Sequence, residues 1–217
     1  MRRIAVLGGT FDPVHNGHLA IARALVGSFA LDQFVFLPAF HAPHKAEQKP
    51  TSAYHRYAML AIATSYEAKF TVSTVELDKG MTRYSIETIP ELIEEYSNSK
   101  LYFVMGADSW MDIRTWKQWE SVLTISDHII VTRPGYDLTF EHVTADVRSR
   151  IVDLRGKDLK SVRESERASK SIYVTDAVEF DTSATEVRED FSDGNLDQEN
   201  DVPLEVAKYI EKYELYI

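Results

Sequence analysis

The sequence predicts an α/β protein with a Rossmann-like open, mostly parallel sheet flanked by helices on both faces. Three observations predict it. Short apolar runs alternate along the chain with stretches of helical periodicity. Several of those runs are apolar at every residue, as in strands buried on both faces. The segments between them leave room for helices of about 10–15 residues, which suits crossover connections rather than hairpins.

The elements follow in order. Ile4 to Leu7 is a buried strand ending in Gly8-Gly9. From Gly17 to Phe29, Leu19, Ala22, Leu25, Val26 and Phe29 form a helical stripe. Phe34 to Leu37 is a second strand, stopped by Pro38, and Ala53 to Tyr66 is a helix. Phe70 to Val75 alternates as a strand, whereas Leu101 to Met105 and His128 to Thr132 read as buried ones. Tyr84 to Tyr96 has a helical pattern interrupted by Pro90, so that helix either starts near Thr88 or is kinked. Ile172 to Val174 is a last short strand. Asp153 to Lys170 is densely charged and reads as a solvated helix or loop, and Glu189 to Asp201 as an acidic loop. Pro203 then occupies a first helical position, followed by a stripe of Val206, Ile210 and Tyr213.

A chain of 217 residues with 44% apolar and 27% charged residues suits one globular domain, 1–217, with a C-terminal helical portion at about 183–217 packed on it. Lys and Arg total 24 against 34 acids, a net charge of −10. That disfavours a nucleic-acid partner, which needs a broad basic face. Cysteine is absent, which removes disulfides, thiolate nucleophiles and cysteine-held metals. No apolar run approaches the ~18–20 residues of a membrane span. The apolar stretch after Met1-Arg2-Arg3 is too short for a signal core, so a cytoplasmic protein without a membrane partner is expected. A homo-oligomer is left open.

The chemistry concentrates in Gly8-Gly9-Thr10-Phe11-Asp12-Pro13-Val14-His15-Asn16-Gly17-His18-Leu19, between the first strand and the first helix. The glycines allow close backbone approach by a ligand. His15 and His18, three apart at a helix start, share one face. The helix N-terminus adds positive potential, so the run reads as a phosphate cradle with two imidazole donors. Neither a Gly-x-x-x-x-Gly-Lys-[Ser/Thr] loop nor a Gly-x-Gly-x-x-Gly turn occurs. Two histidines alone do not demand a metal, and no protein-held metal is assigned.

This run resembles the signature of the His-x-Gly-His nucleotidyltransferases, and within them the bacterial nicotinate-nucleotide adenylyltransferases. The resemblance extends over nearly the whole chain: Pro43-His44-Lys45, Arg56, Met59, Gly106-Ala107-Asp108-Ser109, Thr115-Trp116, Arg133-Pro134-Gly135 and Tyr209-Ile210 with Leu215-Tyr216. Arg83-Tyr84-Ser85-Ile86-Glu87-Thr88 is similar to the family's Ser-Tyr-Thr-x-Asp-Thr stretch, departing at Arg83, Ser85 and Glu87. Ser183-Ala184-Thr185-Glu186-Val187-Arg188 is similar to Ser-Ser-Thr-x-Ile-Arg, with Ala184 in place of a serine.

The resemblance implies transfer of AMP from ATP to nicotinate mononucleotide, giving deamido-NAD and pyrophosphate by in-line attack. Its catalytic residues would be His15, His18, Lys45 and Arg188. It implies ATP contacts at Gly8, Gly9, Thr10, Phe11, His15, His18, Asp108, Arg133, Ser183, Thr185 and Arg188. Lys45, Tyr84, Ser85 and Trp116 would meet the acceptor. Mg²⁺ would bridge the phosphates while keeping most of its waters. The acceptor phosphate is already an anion, so positioning and charge stabilisation suffice and no general base is needed.

Each residue also has a plainer reading: Lys45 as a solvated lysine, Asp108 as a helix cap, Arg188 as a surface arginine, Trp116 and Trp119 as core or lid residues. A metal pair at His41 and His44 is disfavoured. A sibling enzyme acting on nicotinamide mononucleotide or another phosphorylated acceptor stays open, as does a non-catalytic nucleotide sensor.

Overall fold

The computed structural model describes residues 1–217 except 42–49, 133–137, 158–169, 177, 179–182, 194–200 and 217. The described strands are β1 (Arg2–Gly9), β2 (Gln33–Pro38), β3 (Phe70–Val72), β4 (Ser99–Gly106), β5 (Asp127–Val131), β6 (Ile151–Asp153) and β7 (Ile172–Thr175). They form one sheet in the order β3-β2-β1-β4-β5-β7-β6, and every pairing is parallel. The helices are α1 (Asn16–Ser28), α2 (Ala53–Thr64), α3 (Ser85–Glu95), α4 (Ala107–Met111), α5 (Trp119–Ile125), α6 (Ala145–Ser149), α7 (Ala184–Ser192) and α8 (Leu204–Lys212).

Strand side chains alternate between two cores, which is why the strands read as continuous apolar runs. Ala5, Leu7, Phe34, Phe36, Tyr102 and Val104 face α1, α2 and α8. Ile4, Val6, Val35, Leu37, Leu101 and Phe103 face the side of α3, α4 and α5. The strand order reverses between β1 and β4, and in such a sheet the crevice beyond the strand carboxyl ends at that reversal receives ligands.

Several boundaries differ from the sequence expectation for local reasons. β3 ends at Val72 rather than running to Val75, because the Ser73 hydroxyl accepts the Val75 N–H at 3.3 Å and turns the chain away. α2 stops at Thr64, short of Tyr66, where the Thr64 hydroxyl donates to the Leu60 carbonyl at 2.8 Å. α3 starts at Ser85 and continues through Pro90. The proline's missing hydrogen bond is offset by the full burial of Ile89 and Leu92, worth about 1.5–3 kcal/mol each.

The acidic segment expected as a loop from Glu189 is helical as far as Ser192. Buried Val187 and Phe191, four apart, anchor that turn despite the surrounding acids. Pro203 is the N-cap of α8, one position earlier than expected. β6 escaped the sequence reading because it is a three-residue, half-buried edge strand. Most of the charged segment 153–170 lies outside the described residues.

Near the amino ends of the strands, His128 is fully buried and its Nδ1 donates to the Ser126 carbonyl at 3.1 Å. Burial pulls its pKa down to about 3. An unfolded imidazole takes up its proton near pH ~6.5, so between these values the unfolded chain binds more protons. Stability therefore rises with pH across that window and is lost as pH falls through it. Urea unfolding followed from pH 7 down to 4 should show this loss, with a shallower slope in His128→Gln. An unchanged slope would contradict the assignment.

Candidate active site

The backbone just beyond β1 is held by one buried side chain. Arg56, on the first turn of α2, is fully buried. Its guanidinium donates to four carbonyls: Thr10 at 2.5 Å, Ala39 at 2.7 Å, Phe40 at 2.9 Å and Thr51 at 2.9 Å. The loops after β1 and β2 are thereby fastened to the same point, and the Ala39 N–H also donates to the Gly9 carbonyl at 2.9 Å. Burial lowers the Arg56 pKa, with Asp12 and Tyr216 opposing the shift.

Gly8 and Gly9 are the last residues of β1 and pair with Leu37 and Pro38. Their lack of a side chain is used by two rings. A Cβ on Gly8 would lie 3.3 Å from the Phe103 ring, and one on Gly9 would lie 3.0 Å from the Phe11 ring. Phe11 has a left-handed backbone (φ 51°) and a ring only 3% exposed. Its ring meets that of His18 edge-on at 4.9 Å.

His15 caps α1, and its ring centroid lies 3.7 Å from that of His18. The His18 Nδ1 accepts the His15 backbone N–H at 3.2 Å. That bond leaves Nε2 of a neutral His18 as the protonated nitrogen.

Asp12 ties this loop to the end of the chain. The Tyr216 hydroxyl donates to its Oδ1 at 2.5 Å, and the Thr51 N–H to its Oδ2 at 3.1 Å. Burial, reinforced by the Asp12 carboxylate, holds the Tyr216 phenol well above its ordinary pKa, so it remains a donor. Arg188 Nη1 donates to the Asp12 carbonyl at 2.7 Å, and its Nη2 to the Thr185 hydroxyl at 3.2 Å. Arg188 thus reaches the glycine-histidine loop across 176 residues. Ser183 caps α7, accepting the Glu186 N–H at 3.2 Å, while the Glu186 carboxylate accepts the Ser183 N–H at 2.9 Å.

A cavity of about 500 Å³ opens at the sheet's reversal point, a size typical of small-molecule sites. Gly8, Gly9, Thr10 and Asp108 line it together with Tyr84, Ser85 and Trp116. The sequence reading divided these residues between two substrates, and the fold brings them to one cavity. Phe11, His15, His18, Ser183, Thr185 and Arg188 do not line it; they lie with the loop or on α7. Lys45 and Arg133 fall outside the described residues, as does His44.

Sequence reasoning missed Glu76, Thr88, Asp112 and Lys117 as lining residues. Glu76 is buried and accepts the Thr88 hydroxyl at 2.9 Å; burial raises its pKa, against the Thr88 hydrogen bond and Arg83. A signal for Lys117 was its place directly after Thr115-Trp116, whereas Glu76 lies in an unremarkable strand-to-turn segment. Among the described residues no group of three or more His, Asp or Glu is placed to hold a metal ion. No described helix is long and apolar enough to cross a membrane.

Comparison with known proteins agrees with this architecture. The cytidylyltransferase-like family model matches residues 6–190. A protein of Thermoanaerobacter sp. strain X514 is 35% identical over 215 residues, spanning 99% of this chain and 94% of its own. One of Clostridium kluyveri is 33% identical over 216 residues, spanning 100% of both. Both are named "probable nicotinate-nucleotide adenylyltransferase". The Plasmodium falciparum nicotinic acid mononucleotide adenylyltransferase complexed with NaAD superposes with a TM-score of 0.74 at 19% identity, covering 100% of this chain and 98% of that one. At that identity the likeness shows the fold.

Tyr216→Phe should remove the Asp12 contact while keeping the ring. A hydrogen bond to a carboxylate is worth about 1.5–3 kcal/mol, and chemical unfolding should show a loss of that order. Unchanged stability would mean the tail does not anchor the loop.

Proposed function

The chain belongs to the nicotinate-nucleotide adenylyltransferase family, among the cytidylyltransferase-like proteins, and from that premise we propose that it transfers AMP from ATP to nicotinate mononucleotide. An acceptor phosphate oxygen attacks the α-phosphorus of ATP, the bond from that phosphorus to the β-phosphate bridging oxygen breaks, and pyrophosphate leaves. The products are deamido-NAD and pyrophosphate. The reading takes residues 1–217 as one nucleotidyltransferase unit with its C-terminal helices packed on it, as the full burial of Val206 and Ile210 in α8 suggests.

One observation carries the proposal. Backbone from the glycine end of β1 shares a cavity with Asp108 and with Tyr84, Ser85 and Trp116, while Arg188 binds the loop immediately beyond. The Nε2–H of His18 donates to the reacting α-phosphoryl group, with His15 beside it. Arg188, Ser183 and Thr185 take the β- and γ-phosphates, the Glu186 carboxylate giving up the Ser183 donors as they bind. Asp108 holds the nucleoside side of ATP and Trp116 stacks on the pyridine ring. Lys45 and Arg133 add positive charge to the phosphates.

Enzymes of this kind generally use a divalent metal. We infer that Mg²⁺ enters with ATP and would be held mainly by phosphate oxygens and its own waters, with few protein ligands. Bound there it would neutralise phosphate charge. The chain's own groups supply positioning and donors aimed at charge that develops during transfer.

Pyrophosphate release measured with ATP, Mg²⁺ and a panel of phosphorylated acceptors tests the reading. Turnover should be fastest with nicotinate mononucleotide, and no turnover with it would refute the proposal. His18→Ala should lower kcat by ~10²–10³, and an unchanged kcat would refute the assigned role.

A further inference from the structure

The cavity is lined by three acids, Glu76, Asp108 and Asp112, and two cations, Arg83 and Lys117. An acceptor of the proposed kind brings two anionic groups, a phosphate and a carboxylate on its pyridine ring. The ring carboxylate therefore needs a cation that can be spared.

Arg83 is committed. Its side chain is 11% exposed, and its guanidinium donates to Glu91 at 2.6 Å and to the Glu87 carbonyl at 3.0 Å. Lys117 differs. Its side chain is 46% exposed, its Nζ donates to Glu87 at 2.8 Å, and the ammonium sits 4.5 Å from the centre of the Tyr84 ring. An ammonium has three donors, so the Glu87 bond leaves capacity for an incoming carboxylate. An exposed ion pair of this sort adds little stability, so exchange of its partner is cheap.

The surrounding backbone holds the lysine in place. Glu87 also accepts the Tyr84 N–H at 3.2 Å, which ties Lys117 to the start of α3. Gln118, next in the chain, has a left-handed backbone (φ 52°), a conformation costly for a non-glycine residue and kept only where the surroundings impose it. Trp116, on the other side, lines the same cavity.

We propose that Lys117 is the specificity-determining residue that favours an acceptor bearing a ring carboxylate over its carboxamide counterpart, with Glu87 as the resident partner that holds the ammonium over Tyr84 until the acceptor arrives. The inference rests on the acceptor reading above and deepens it. A neutral carboxamide cannot use the charge, so Lys117 contributes to the difference between the two acceptors rather than to the binding of both.

The test compares kcat/KM for nicotinate mononucleotide and nicotinamide mononucleotide in the wild type, Lys117→Gln and Lys117→Arg, with Lys79→Gln as a control outside the cavity. Lys117→Gln should lower kcat/KM for the carboxylate acceptor about tenfold, mainly through the acceptor KM. The KM for ATP and the carboxamide reaction should change little. Lys117→Arg should restore most of the preference, and Lys79→Gln should keep it. Equal losses for both acceptors, or a preference surviving in Lys117→Gln, would overturn this inference alone. A wild type that turns over the carboxamide but not the carboxylate acceptor would overturn the acceptor reading as well.

Discussion

One buried guanidinium organises the catalytic end of this molecule. The loops after β1 and β2 leave the sheet, so their carbonyls cannot all be satisfied by regular strand pairing. Arg56 satisfies four of them from beneath. A side chain with five donors in a rigid fork is suited to this task, and lysine is not. Its burial is costly, and the cost is offset because every carbonyl it binds would otherwise need water in a closed space. Asp12, close enough to oppose the lowering of the Arg56 pKa, passes the constraint onward. Its side chain holds Tyr216 and its carbonyl holds Arg188, so the two ends of the chain meet at one loop.

The fold was legible where packing is symmetrical. Strands such as Ile4 to Leu7 and Leu101 to Met105 are buried on both faces and so carry no alternation, and the helical stripe of α1 stands between them. It was illegible where local side chains override pattern. Ser73 ends β3 by capturing a backbone N–H. Pro90 sits inside α3 because buried neighbours outweigh one lost hydrogen bond. The start of α7 was readable, since Ser183 with Glu186 is a helix-start signal by spacing, but its end from Glu189 to Ser192 was hidden by acids, and only the buried Phe191 holds it in the helix.

The site was legible in proportion to the density of its motif. The glycine-histidine run concentrates several special residues in one loop, and the structure keeps them together at the end of β1 and the start of α1. Its glycines end the strand and line the cavity, and they also leave room for the rings of Phe11 and Phe103. Tyr84 and Ser85, at the start of α3, and Trp116, after Thr115, arrive from separate parts of the chain and share the cavity. Lys117 and Glu76 line it too, but single residues without a repeating pattern become meaningful only once the sheet has placed them. Arg56 was visible as a matching residue and not as a tie, since its four partners are backbone atoms and backbone leaves no mark in sequence.

The most direct measurement of the Arg56 constraint is amide hydrogen exchange together with turnover in Arg56→Lys, which keeps the charge and loses the fork. The account predicts a folded protein in which the Ala39 amide exchanges faster and kcat falls at least about tenfold. Wild-type protection at Ala39 with wild-type turnover would contradict it, because the two loops would then hold their positions without the guanidinium.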